Sequence, residues 1–329
     1  MSWIAPLQVA ALLCLPGLAL AQAPQTFPAK IIRIFVPTAP GNAADISARL
    51  ITDRLARRFG QPVIVENRPG GTSTGAIASS LVAKSPPDGH TLLMTSTSFT
   101  INTALIAQLP YDVEKEFEGI AYVAQVGMVL VSSPTSPVKD LRELVQMVRA
   151  NPGKYNYATV GRGSVQHLTM ALFLAAIGGS MEPIPYKGSA PALVDVMAGT
   201  VPFMFDAVSS SGTYVTSGRV KSFGLAGKKR LELFPNLPTT AESGIPELAD
   251  FEVVGWVGLV APKGVPKAVS AQLNEAIMQI VQEKDLKEKL AAQGMEVMPP
   301  HPPEQFSAFL RDNMVKWDNA AKAARLAKE

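Results

Sequence analysis

The sequence predicts an α/β protein made of two open, doubly wound sheets, which form two lobes with a cleft between them. Three observations carry that prediction. Short apolar strands alternate with amphipathic helices over most of the chain. The alternation stops and restarts near Met128. At 329 residues the chain is long enough to bury two sizeable cores.

The first unit opens with Ile31 to Val36 as a strand, which meets the turn Pro37-Thr38-Ala39-Pro40-Gly41-Asn42. A helix follows, with Ile46, Leu50, Ile51 and Leu55 on one side and Arg49, Arg54, Arg57 and Arg58 mostly on the other. Gly60 suits its stop. Pro62 to Val65 is a second strand, Asn67 to Gly71 a loop, Gly75 to Val82 a helix and Thr91 to Met94 a third strand.

The second unit runs as strand Val129 to Val131, helix Val138 to Arg149, strand Asn156 to Ala158 and helix Val165 to Ile177. Strand Glu182 to Pro185, helix Pro191 to Met197 and strands Phe203 to Phe205 and Val220 to Ala226 complete it. A Pro/Gly-rich stretch from Phe234 to Pro246 leads to a helical tail: Lys267 to Val281, Leu286 to Gln293 and Pro303 to Ala324. The tail is assigned to the first lobe, whose sheet otherwise lacks cover. The expected lobes are residues 24–126 plus 241–329, and residues 127–240.

Residues 1–21 read as a cleaved secretory signal, with cleavage up to about residue 23, which directs the chain to the periplasm. Ile4 to Ala21 is apolar but interrupted by Pro6, Gln8, Pro16 and Gly17, too broken for a span of ~20 apolar residues. It ends in Ala19-Leu20-Ala21, although no Lys or Arg precedes it. Cys14, the only cysteine, lies inside this segment. The mature chain then has no thiol for a disulfide, a nucleophile or a metal. A net charge of +3 with no Lys/Arg block excludes nucleic acid as a partner.

Four junctions at the carboxyl ends of predicted strands are rich in Gly, Ser and Thr. They hold Ala39, Pro40, Gly41 and Asn42; Ser96, Thr97 and Ser98; Thr159, Gly161, Arg162, Gly163 and Ser164; and Asp206 with the serines after it. Glycine admits close backbone approach, hydroxyls donate, and the first amides of a helix are unpaired and partly positive. Such loops hold a carboxylate without a lysine. Four or five hydrogen bonds to a charged group, at ~1.5–3 kcal/mol each, reach the ~8 kcal/mol of micromolar binding.

Several side chains keep two readings. Asp45 either orients the first loop or a ligand amine, or simply complements a helix start. His167 either contacts ligand or packs beneath its loop. Asp206 faces the same choice, and Arg162 either forks onto a second carboxylate or points to solvent. Trp256 fits core packing better than a stacking platform. Gly71-Thr72-Ser73-Thr74-Gly75 matches a nucleophile elbow, so a secreted esterase using Ser73 is the catalytic alternative. It would need a partner among His90, His167 and His301, and His301 lies between prolines. Three histidines so far apart give no metal-ligand spacing. No catalytic residue, cofactor or metal is assigned.

Val36-Pro37-Thr38-Ala39-Pro40-Gly41-Asn42-Ala43-Ala44-Asp45 resembles the VPFAPGGxxD segment of the Bug family, the extracytoplasmic receptors of tripartite tricarboxylate transporters. Further matches follow in order at Gly60 to Gly70, Pro87 to Leu93, Leu109 to Asp112, Asn151 to Lys154, Tyr157 to Leu168, Pro185 to Gly188, Leu237 to Glu242 and Trp256 to Pro262. The resemblance covers nearly all of the mature chain. It implies a periplasmic-binding fold of type II-like form that closes over a carboxylated ligand. It also implies ligand loops at Pro40-Gly41, Ser96 to Ser98 and Thr159 to Ser164. The family's second glycine is Asn42 here. The expected protein is a monomer that captures a small organic anion, with di- and tricarboxylates, acidic amino acids and aromatic acids all open, and docks transiently on membrane transporter subunits. A receptor that reports occupancy to a sensor kinase is the alternative partner reading.

Overall fold

In the computed structural model, which describes residues 27–70 and 75–328, the chain forms two mixed sheets flanked by helices. The first part runs β1 (Ile32–Val36), α1 (Ala43–Phe59), β2 (Val63–Asn67), α2 (Ala76–Ala83), β3 (Thr91–Ser96), α3 (Ser98–Leu105), α4 (Val113–Glu116) and β4 (Phe117–Val126). The second runs β5 (Met128–Ser132), α5 (Leu141–Ala150), β6 (Asn156–Thr159), α6 (Val165–Ile177), β7 (Glu182–Pro185), α7 (Ser189–Ala198), β8 (Phe203–Ala207), α8 (Val208–Thr216) and β9 (Lys221–Leu225). The chain then continues through β10 (Gly255–Pro262), α9 (Lys267–Val281), α10 (Lys284–Ala291), β11 (Met295–Val297) and α11 (Pro303–Ala323).

The first sheet has the order β11-β4-β10-β3-β1-β2 and the second β7-β6-β8-β5-β9. β1 pairs in parallel with β2 on one side and β3 on the other. β6 likewise pairs in parallel with β7 and β8. Each sheet therefore has a point where the winding reverses, at β1/β3 and at β6/β8, and ligands of open α/β sheets sit beyond the carboxyl strand ends at such points.

The sheets are not parallel throughout. β10 runs antiparallel between β3 and β4, and β5 antiparallel between β8 and β9. The glycines of β4 and β10 have a packing reason. A Cβ on Gly119 would stand 2.8 Å from Phe306 Cδ1, and one on Gly258 would overlap the Phe306 ring and sit 2.9 Å from the Ala121 carbonyl. α11 thus lies directly on two strand backbones. Phe306 stacks on Tyr122 at 5.5 Å and meets Trp256 edge-on at 5.7 Å.

The ends of α11 serve different cores. Phe306 and Leu310 pack with Phe35, Leu93 and Trp256, whereas Trp317 and Ala321 pack with Phe173, Phe205 and Phe251. Ile245, Leu248 and Val253 also join the Phe173 and Phe205 core. Among the described residues no helix is long and apolar enough to cross a membrane. The signal segment and Ser73 lie outside the described residues.

Candidate ligand-binding site

The first loop is held from below by one carboxylate. Asn42 caps α1, its Oδ1 accepting the Asp45 amide at 3.0 Å. Asn42 is extended (φ −96°, ψ 174°), so the side chain costs nothing where the resembling family has glycine. Gly41 is left-handed at φ 92°, and its amide donates to Asp45 Oδ2 at 2.9 Å. Asp45 Oδ1 accepts from Arg49 Nε at 3.0 Å and Asn67 Nδ2 at 2.9 Å. Asn67 also donates to the Thr38 carbonyl at 3.0 Å. Burial works to raise the Asp45 carboxyl, but the Arg49 guanidinium and the Gly41 and Asn67 amides outweigh it and hold it below the usual value. Asp45 therefore shapes the loop, while Ala39, Pro40 and Gly41 stay exposed.

After β3, Ser96 is half-buried and Thr97 and Ser98 are buried. Thr97 is fixed to β10: its Oγ1 accepts the Trp256 amide at 2.8 Å and its amide donates to the Trp256 carbonyl at 3.2 Å. Trp256 is a core residue, as its buried ring contacts show. α3 starts without a side-chain cap.

The β6 loop is braced internally. Ser164 Oγ donates to the Gly161 carbonyl at 2.6 Å, lies 3.2 Å from Thr159 Oγ1 and accepts the His167 amide at 3.2 Å. Gly161 and Gly163 are left-handed at φ 104° and 80°. His167 packs beneath this loop, with Nδ1 3.3 Å from the Tyr157 hydroxyl. Arg162 turns to the chain end, where Nη2 donates to the Ala327 carbonyl at 2.7 Å. Arg162, Tyr157 and His167 line a groove of about 630 Å³ between α6 and the end of α11. The second-carboxylate reading of Arg162 thus competes with a tether to the chain end.

Asp206 closes β8 and is wholly buried. Its Oδ1 accepts from Ser189 Oγ at 2.6 Å and Gln166 Nε2 at 3.2 Å. Sequence reasoning missed both partners. They stand at helix starts far apart in the chain and meet only because β6 and β8 are neighbours. α7 and α8 begin here, and neither has a side-chain cap.

The two reversal points meet across the sheets. A Cβ on Gly163 would overlap Asn102 Oδ1 of α3, so the β6 loop lies directly on the helix that follows β3. Asn102 is a further residue that sequence reasoning missed. The Val208 amide donates to the Gly127 carbonyl at 2.9 Å and the Gly127 amide to the Gly294 carbonyl at 3.2 Å, joining the start of α8 to the first sheet's edge.

Two of the three histidines accept backbone amides. His90 Nε2 accepts the Ala29 amide at 3.2 Å. His301 Nε2 accepts the Tyr122 amide at 3.0 Å, and its Nδ1 faces the Pro299 carbonyl at 2.9 Å. Among the described residues no group of three His, Cys, Asp or Glu is placed to hold a metal.

Two α/β sheets, each with a reversal point fringed by helix starts and hydroxyls, are the frame of a solute-binding protein of the periplasmic type. Residues 47–326 match the model of the tripartite tricarboxylate transporter family receptor, and the chain belongs to that family. It is 34% identical to the protein BugT of Bordetella pertussis over 92% of this chain and 91% of the relative. A Rhodopseudomonas palustris protein solved with adipate superposes with a TM-score of 0.86 at 29% identity, covering 92% of this chain and 100% of that one. MatC of Rhodopseudomonas palustris, solved with malate, gives 0.82 at 30% identity, covering 89% and 99%.

Proposed function

We propose that the protein captures a small carboxylate-bearing anion between its lobes, in the periplasm, and hands it unaltered to the membrane subunits of a tripartite tricarboxylate-type transporter. The contact of Gly163 with Asn102 carries this reading, because it seats the loop at the second sheet's reversal point on the helix that follows β3 of the first sheet. The starts of α3 and α7 carry no side-chain cap, and uncapped helix starts favour an anion. The relatives solved with adipate and malate support the ligand class.

The ligand groups in this reading are the amides and hydroxyls at Ala39 to Asn42, Ser96 to Ser98 and Thr159 to Ser164, with Asp206 beside them. Asp45 and His167 position two of these loops. The protein works as a monomer, exported by residues 1–21, with no cofactor and no reaction of its own. The packing of Ile245, Leu248 and Val253 supports drawing the return to the first lobe near residue 254 rather than 240. Binding energy then closes the lobes by shifting an open–closed equilibrium.

A thermal-shift screen of small carboxylates tests this. A ligand at 100 times its Kd stabilises by ~2.7 kcal/mol, and mass spectrometry should recover it unchanged. Failure of every carboxylate to raise Tm, or turnover of the bound acid, would sink the reading.

A further inference from the structure

We propose that Asp206 is a specificity-determining residue: it takes a hydrogen bond from an N–H or O–H group that the ligand carries beside its carboxylate. The protein then selects amino- and hydroxy-carboxylates over their unsubstituted counterparts. This rests on the carboxylate-capture reading above.

Asp206 lies at the β6/β8 reversal point, where α6, α7 and α8 all begin. It is 0% exposed. One oxygen, Oδ1, is occupied by Ser189 and Gln166. The other, Oδ2, is buried without a hydrogen-bond partner among the described residues. A buried orphan acceptor is costly, and an ionised one without a cation more so. Among the described residues no Lys, Arg or His forms an ion pair with Asp206, and the groups acting on it are Ser189, Gln166 and the Ala207 amide. Burial pushes its carboxyl up to about 6 against the lowering influence of those three groups.

The same helix starts that attract an anion therefore surround a carboxylate that repels one. A donor on the ligand resolves the conflict. An ammonium supplies a hydrogen bond and neutralises the repulsion, a hydroxyl supplies the hydrogen bond alone, and a methylene supplies neither. The expected order is amino, then hydroxy, then unsubstituted acid.

Calorimetric titration of the unaltered protein with aspartate, malate and succinate, and with the matching five- and six-carbon sets, tests this order. In whichever length binds, the amino acid should bind at least tenfold tighter than the unsubstituted acid, with the hydroxy acid between. Asp206→Asn keeps the side chain's size and should bring the three within about threefold. Equal or tighter binding of the unsubstituted acid overturns the inference while the capture reading stands. So does binding confined to acids without such a donor, or an unchanged preference in a folded Asp206→Asn protein. Failure of every carboxylate to bind removes both. The unaltered protein's ranking decides the matter even if the variant does not fold.

Discussion

The indole Nε1 of Trp256 donates to Asn313 Oδ1 at 2.9 Å. That oxygen also accepts from Trp317 Nε1 at 2.7 Å and Thr100 Oγ1 at 2.7 Å. One buried amide oxygen thus ties β10 and α3 to α11. Asn313→Ala strands two buried indole donors, each worth ~1–3 kcal/mol when unsatisfied, while the Thr100 hydroxyl keeps the Thr97 carbonyl at 3.1 Å. The expected loss is about 3 kcal/mol or more in guanidinium unfolding, and Asn313→Asp, which keeps an acceptor, should lose less. A loss under about 1 kcal/mol for the alanine variant would show that the node contributes little.

Gly163 and Gly161 separate backbone strain from contact. Both are left-handed, so alanine at either costs roughly 1–2 kcal/mol. Only at Gly163 does the added methyl meet Asn102; Gly161 has open space around it. Ligand affinity should fall about tenfold further for Gly163→Ala than for Gly161→Ala, and adding Asn102→Ala should recover most of the difference. Equal losses in titration calorimetry would dissociate the loop's seat on α3 from binding.

Asp45 organises the first loop through charge-assisted hydrogen bonds. Its folded pKa lies below the ordinary value, so the stability it contributes is complete above about pH 4 and is lost as pH falls through the folded value. Asp45→Asn should cost about 2 kcal/mol at neutral pH. It should also flatten the acid limb of the stability–pH curve. An acid limb identical to that of the unaltered protein would contradict this account.

Asp206 has the opposite sign. Its folded pKa of about 6 exceeds the ordinary 3.8, so the folded state binds the proton more tightly. Stability of the ligand-free protein should therefore decline as pH rises from about 4 to about 6, by roughly 3 kcal/mol from this group. Asp206→Asn should abolish that decline and make the free protein more stable at pH 7.5. Unfolding midpoints measured across this range in both proteins provide the check.

Much of the architecture was legible because its strands and helices carry their own periods. β1, α1, β6 and α6 follow alternation and amphipathicity directly, and the Gly/Ser/Thr junctions fall at carboxyl strand ends. α3 was not read: Phe99, Thr100, Ile101, Asn102, Ala104 and Leu105 are all buried, so no polar face marks the helical period. β4 and β10 were missed as strands because glycines needed under Phe306 dilute the apolar alternation. The antiparallel insertion of β10 between β3 and β4 depends on partners more than a hundred residues apart. Within the site, glycines and caps were visible. The Ser189 and Gln166 partners of Asp206 were not, since only strand order brings them together, and nothing local in the sequence directs Arg162 to Ala327.

Gly127 alone separates β4 from β5, with its amide and carbonyl both engaged. Its neighbours are committed to rigid ladders, so any swing of one half against the other on this side has only a few torsions to act through. Such a pivot fixes an axis rather than a range of axes. Substitutions that stiffen or loosen this one residue should therefore alter how easily the two halves move, with little effect on either sheet.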